Sequence, residues 1–348
     1  PASAQTSQST TSSTSGAVTP VDPTTPVEPT NPVEPTTPVE PSTPAKSQVA
    51  TLPAGTSTQL NATDCANVQG LPPGATPVAG DDTTEAGKVL MALDSAHGYQ
   101  VFSRAPVQFA WWLRGSGASV NLLGLGTALH ETNHQINGLL NGNCGSTGAF
   151  RYFSDGQIVQ TDLRFGDTSN RSIIADTYPT ALKTSRAMRY DTYVTGTAGN
   201  SGNDFSSLLE EFNSYLGGAY LESKVQSDVE YAYLYKKTTI YDQNLGGMVD
   251  FMLFMQHYLM SARLNHATTY AAIQAQPATR LFMQQLWSRA ETILANAYPY
   301  TTTATGAGGT LVPADAFAQI YSAPMLAELD ALGITHRVAA DWSTTYLK

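Results

Sequence analysis

The segment Gly126 to Leu140 reads GTALHETNHQINGLL, with His130 and His134 four residues apart and Glu131 directly after the first histidine. In an α-helix, residues i and i+4 lie one turn apart on one face. Both imidazoles therefore aim at one point. Zinc takes nitrogen ligands at about 2.0–2.1 Å in a tetrahedral arrangement. Glu131 is turned by about 100° from His130, so it does not ligate in the same way. It reaches instead a water held on the metal, whose proton a nearby carboxylate can accept. The spacing His-Glu-x-x-His thus draws two ligands and a general base from one helical turn. The plainer outcome is a helix with two solvent-facing histidines. Against it, the chain has only six histidines, so a chance match to the pattern is rare. Leu125, Ala128, Leu129, Ile136, Leu139 and Leu140 also give the segment the apolar surface of a buried helix.

At HETNH, His130 to His134, the sequence resembles the zincin metallopeptidases. The resemblance covers this motif and a downstream ligand, and implies Zn²⁺ held by three protein groups with one position open. The continuation HQINGLLNGNCG has no further histidine, which argues against the metzincin branch. The gluzincin branch takes a glutamate from a later helix, and SSLLEEFNSYLGGAYLES offers Glu210 and Glu211. Glu211 borders the apolar face formed by Leu208, Leu209, Phe212, Tyr215, Leu216, Ala219 and Tyr220. Glu210 points away from that face. It also follows Ser207 by three residues, the spacing of a capping box that would engage its carboxylate at the helix N-terminus. Glu211 is the favoured third ligand and Glu210 the alternative. The EFN at Glu211 to Asn213 also resembles the pattern around the ligand in some gluzincin-like proteins.

Peptide hydrolysis passes through an oxyanion that needs a donor besides the metal. His257, in FMQHYLM, and Tyr215 or Tyr220 are the candidates. His257 also reads as a core histidine bonded to the backbone, because an unpaired imidazole in so apolar a helix costs free energy. Asn133 and Asn137 are placed to bond the ligands, although Asn137-Gly138 equally reads as the weakening or end of the helix. Trp111-Trp112 reads as packing. His97, His266 and His336 have no partner that the sequence identifies.

The elements that must position these groups read as an α+β body, zincin-like, with a small sheet in the N-terminal half and a helical C-terminal half. TEAGKVLMALDSA is expected to be helical. YQVFSRAPVQFAWW has the aromatic and β-branched content of a strand. FRYFSDGQIVQTDLRF is expected to be a β-hairpin turning at Asp155-Gly156. The helices after Phe205 are SSLLEEFNSYLGGAYLES, MVDFMLFMQHYLMSARL, ATRLFMQQLWSRAETILANAY and DAFAQIYSAPMLAELDAL. Residues 81–348 form the expected catalytic domain and 49–80 a loop-rich arm. Residues 1–48 hold the hexads TPVDPT, TPVEPT, NPVEPT and TPVEPS. Proline at every third position fixes φ and removes amide donors, so an extended, disordered spacer is expected.

A net charge of −10 argues against nucleic acid as the main partner. Charged residues are 13% of the chain, a balance common in exported proteins. Cys65 and Cys144 would pair in an oxidising compartment. The opening PASAQTSQSTTSSTSG is how an exported protein begins after cleavage of a signal peptide, and how a trimmed chain begins too. MVDFMLFMQHYLMSA carries Asp250, Gln256 and His257 and is too short to span a bilayer. The expectation is an exported zinc endopeptidase, secreted or at the cell surface, acting on protein or peptide outside the cell. The spacer would hold it off a surface, or tether it to a membrane by a lipid-modified N-terminus. The alternative is a surface-displayed binding or adhesion domain whose metal is structural or vestigial.

Overall fold

The computed structural model describes residues 98–105, 122–143, 149–196, 203–227, 244–301 and 314–342, together with Gly87, Leu90, Met91, Phe109 and Trp112. The spacer, the arm, Trp111, His97 and both cysteines lie outside the described residues. In chain order the elements are α1 (Gly98–Arg104), α2 (Leu122–Asn143), β1 (Ala149–Tyr152), β2 (Ile158–Thr161) and a 3₁₀ turn (Arg171–Asp176). Then come α3 (Thr180–Ser185), α4 (Ala187–Tyr190) and a π turn (Asp191–Thr195). The long helices α5 (Phe205–Ser227) and α6 (Asn244–Asn265) follow, then α7 (Ala267–Gln274) and α8 (Pro277–Thr301). The chain continues through α9 (Ala314–Ile320), α10 (Ala323–Asp330) and a closing 3₁₀ turn (Ala339–Trp342). The body is mostly helical, and among the described residues its sheet is the antiparallel β1–β2 pair alone.

The hairpin turns where the sequence predicts. Tyr152 pairs with Ile158, and Gly156 takes φ +87° in the loop between them. That left-handed backbone favours glycine. Two expectations are corrected. Tyr99 to Arg104, predicted as strand, lie in helix α1. Val101, Phe102, Ala105 and Phe109 are buried at helical spacing, so packing outweighs the strand propensity of the aromatic residues. The segment DAFAQIYSAPMLAELDAL is two helices, broken at Tyr321–Ser322, because Pro324 sits in the first turn of α10, where its missing N–H is not needed.

α6 is buried on nearly every side, from Asn244 to Leu259. Each large apolar side chain buried there contributes about 1.5–3 kcal/mol. Its polar residues therefore need partners. Asp250 accepts from Arg186 Nε at 2.6 Å and Nη2 at 2.8 Å, and from Arg189 Nη1 at 3.1 Å. Glu222 of α5 accepts from the backbone N–H groups of Asn244 and Leu245 and from Asn244 Nδ2, capping α6. α5 lies at the centre, packed on α6, α2 and α8.

Glycines set how closely these helices approach. A Cβ at Gly217 of α5 would collide with Leu129 of α2. One at Gly218 or Gly126 would collide with Asn244, and one at Gly247 of α6 with the Tyr215 ring. Gly138 of α2, by contrast, faces open space. Gly247→Ala is therefore expected to lower unfolding free energy by about 1–3 kcal/mol through overpacking. Gly138→Ala is expected to raise it by about 0.5–1 kcal/mol through helix propensity. Urea midpoints at unchanged m-value test both, and equal shifts of one sign would contradict this account of the helix contacts.

Candidate metal centre

α2 and α5 face one another, and the sequence motif meets its downstream acid at their interface. His130 Nε2 and His134 Nε2 are 3.0 Å apart, with the ring planes at 78°. Glu211 Oε2 arrives from α5 at 3.3 Å from His134 Nε2 and 3.7 Å from His130 Nε2. Ligand atoms at about 2.05 Å from a tetrahedral centre stand about 3.3 Å apart. The three observed separations bracket that value. Glu211 Oε2 is also buried without a hydrogen-bond partner. A buried carboxylate oxygen in that state is costly, and a cation between it and the two imidazoles removes the cost. Two imidazole nitrogens and one carboxylate oxygen are donors that suit zinc or a similar divalent ion. The residues present fit such an ion.

Glu210 corrects the sequence reading. It is neither a surface charge nor part of a capping box. The cap of α5 lies three residues earlier, where Asp204 Oδ1 accepts from Ser207 N at 3.1 Å and the Ser207 hydroxyl donates to Asp204 O at 2.9 Å. Glu210 instead reaches across to α2. Its Oε2 lies 2.7 Å from His134 Nδ1, and its Oε1 accepts from Asn137 Nδ2 at 2.8 Å. A carboxylate on Nδ1 keeps the proton there and leaves Nε2 directed at the Glu211 side. The helical wheel of α5 misjudged this glutamate because its partner lies on another helix.

Asparagines on α2 fix the rest. The helix continues through Asn137-Gly138 to Asn143, so that pair does not end it. Asn137 Oδ1 accepts from Tyr152 N at 2.7 Å, and Asn213 of α5 donates to Tyr152 O at 2.8 Å. One turn on, Asn141 accepts from Phe150 N at 2.7 Å and donates to Phe150 O at 3.4 Å. The second edge of β1 is thus satisfied by side chains of the two helices that carry the centre. Asn133 donates to Ser214 Oγ at 3.4 Å, and that hydroxyl lies 3.3 Å from His134 Nδ1. Asn133, Asn137 and Asn141 recur every fourth residue, a visible signal of a polar face, but the sequence did not say what it faces.

The two imidazoles differ electrostatically. Burial, then the charges of His134 and Arg189, hold His130 well below its ordinary value. Burial also works to lower His134. The charge and hydrogen bond of Glu210, with Glu211, outweigh it and push His134 up to about 11. The two glutamates thus favour a positive charge on His134. Glu131 is half-buried beside it. Burial raises its carboxyl; His134 pulls it down, and the Glu211 and Glu210 charges push it up again. The net direction is up, toward the range that suits a base working near neutrality.

Of the sequence candidates for an oxyanion donor, Tyr215 is at the centre. Its ring packs edge-on against His130 with centroids 4.3 Å apart, and its hydroxyl lies 3.0 Å from the Tyr193 hydroxyl. Tyr220 packs under Lys224 instead. His257 is a core residue. Thr177 donates to its backbone carbonyl at 3.1 Å, and Thr177 Oγ1 lies 3.1 Å from its Nδ1. Tyr178 packs on its ring with centroids 5.0 Å apart. His266 and His336 have partners after all, in Asp176 at 3.2 Å and Asp330 at 3.1 Å. Sequence reasoning missed Tyr193, which lies in a short segment without clear periodicity.

No family model, no curated protein and no solved structure matches this chain. The geometry itself makes two predictions. Glu211→Ala removes one of the three candidate ligands and is expected to abolish stoichiometric Zn²⁺ binding in equilibrium dialysis. Glu210→Gln is expected to weaken it about 10–100-fold; identical effects at the two positions would contradict the division of roles. The second concerns His257, which burial pushes down to about 4, against about 6.5 in the unfolded chain. Its neutral form contributes stability that is complete above about 6.5 and lost as pH falls to about 4, roughly 3 kcal/mol in all. The wild type should therefore lose that much more than His257→Leu between pH 7 and pH 4 in urea unfolding, and parallel pH curves would contradict this.

Proposed function

We propose that this chain is a zinc-dependent endopeptidase that hydrolyses peptide bonds in protein or peptide substrates. The observation that carries the reading is the meeting of His130 Nε2, His134 Nε2 and Glu211 Oε2, with Glu210 fixing His134 from behind. Among the described residues, three such groups converge. A purely structural zinc site is closed by four protein ligands, whereas a catalytic one keeps a position open. That favours the enzyme over the alternative of a binding or adhesion domain with a structural or vestigial metal.

His130, His134 and Glu211 would hold the metal, which when bound polarises a carbonyl and makes water a nucleophile near neutral pH. Glu131 takes the proton of the attacking water and returns it to the leaving amine. Its half-buried position beside two other carboxylates supports this, since each raises its affinity for a proton. Tyr215, one helical turn after Glu211 and packed on His130, offers its hydroxyl to the oxyanion. Tyr152, held at both its N–H and its C=O, keeps β1 rigid beside the motif helix. Export, an extracellular substrate and an N-terminal tether belong to the same proposal and rest on the Pro/Thr spacer and the composition.

Denatured casein and a mixed peptide library, incubated with the zinc-loaded protein, test the activity. Glu131→Gln is expected to retain its zinc and lower kcat by about 10²–10⁴. Chelation is expected to abolish cleavage, and added zinc to restore it. Undiminished cleavage by Glu131→Gln would remove this assignment of the base.

A further inference from the structure

We propose that Tyr193 is a positioning residue for Tyr215: it donates to the Tyr215 oxygen and so leaves the Tyr215 proton free for the reacting carbonyl. The inference rests on the metallopeptidase reading and adds a residue to it. The two hydroxyls are 3.0 Å apart, and at that distance either one can donate. A phenol has one proton and accepts through its lone pairs. If Tyr215 gave its proton to Tyr193, none would remain for the oxyanion.

The surroundings choose the direction. The Arg189 guanidinium lies over the Tyr215 ring, 5.6 Å from its centroid, and its positive charge favours the Tyr215 oxygen as an acceptor, since a guanidinium only donates. Asp250 holds Arg189 in place at 3.1 Å. The Tyr215 oxygen is therefore the acceptor, and donation from Tyr193 leaves its own proton to point elsewhere. Tyr193 has a different neighbour. The Arg171 guanidinium lies over its ring, 5.0 Å from the centroid, and all three Arg171 side-chain nitrogens are buried without a hydrogen-bond partner. Arg171 thus packs on the face of Tyr193 without bonding its hydroxyl.

The backbone holds Tyr193 at this point. It is the middle residue of the π turn Asp191–Thr195, which closes at Gly196 with φ +79°. Such turns recur at functional sites. The 3₁₀ turn carrying Arg171 packs on the π turn and on α6, and Arg171 N donates to Asn203 O at 2.7 Å, beside the cap of α5. The Tyr193 ring also packs edge-on against Phe251 of α6, with centroids 4.9 Å apart. Phenylalanine at 193 keeps these packing contacts and removes only the hydroxyl.

The test uses the zinc-loaded full chain and three variants, Tyr193→Phe, Tyr215→Phe and the double replacement. The readouts are kcat and KM on a peptide cleaved by the wild type, zinc stoichiometry, and calorimetric affinity for a phosphinic peptide that mimics the tetrahedral state. Tyr215→Phe is expected to lower kcat about 100-fold. Tyr193→Phe is expected to lower it about tenfold, with KM within about twofold, zinc content unchanged and phosphinic-peptide affinity about tenfold weaker. The double variant should match Tyr215→Phe, since residues acting as a unit are not additive. An unchanged kcat in Tyr193→Phe, or a further tenfold loss on top of Tyr215→Phe, overturns the assignment while leaving the metallopeptidase reading intact. A wild type that retains no zinc, or full activity in Glu131→Gln, overturns that reading and this inference with it.

Discussion

Three carboxylates and two imidazoles crowd one half-buried crevice between α2 and α5, and that concentration of charge is the constraint on which the rest depends. Glu131, Glu210 and Glu211 repel one another at low effective dielectric, and Glu211 Oε2 is buried without a hydrogen-bond partner. Without an ion, the crevice is balanced by a proton held on His134. Both Nε2 atoms and Glu211 Oε2 lie within 4.8 Å of one another, so a divalent cation held by the three groups would balance it as well. The bond from Glu210 to His134 Nδ1 makes this specific. It settles which nitrogen is held by Glu210 and which faces Glu211.

The helix α5 distributes the roles along its length. Glu210 orients His134, Glu211 meets both imidazoles, and Asn213 and Ser214 bond toward β1 and α2. Tyr215 packs on His130, Gly217 admits Leu129, Gly218 admits Asn244, and Glu222 caps α6. Nearly every contact that fixes the centre therefore passes through one rigid element, which holds a site more accurately than a loop does. The buried α6 supports it from behind, with Phe251 stacked on Tyr215 and Asp250 anchoring Arg189.

What the sequence showed followed from local rules. The histidine spacing, the position of Glu211 at the border of an apolar face, the Asp155-Gly156 turn and the long helices all depend on neighbours within a turn or two of the chain. What it hid depended on partners far away. Glu210 matched a capping pattern with Ser207, yet Asp204 offered the same cap and its carboxylate was needed across the interface. His257 offered an imidazole to the chemistry, but its environment is Thr177 and Tyr178. Tyr193 lies in a π turn, whose spacing fits neither the helical nor the strand period. Tyr99 to Arg104 carried strand-like residues on a helical pattern of burial, and only tertiary packing decided between the two.

X-ray absorption at the zinc edge of the zinc-loaded chain tests the central claim most directly. The account predicts one tightly held zinc per chain, with a first coordination shell of nitrogen and oxygen at about 2.0–2.2 Å and the outer scattering of two imidazoles. A shell containing sulfur or lacking two imidazoles, or a chain that cannot retain the metal, would contradict it.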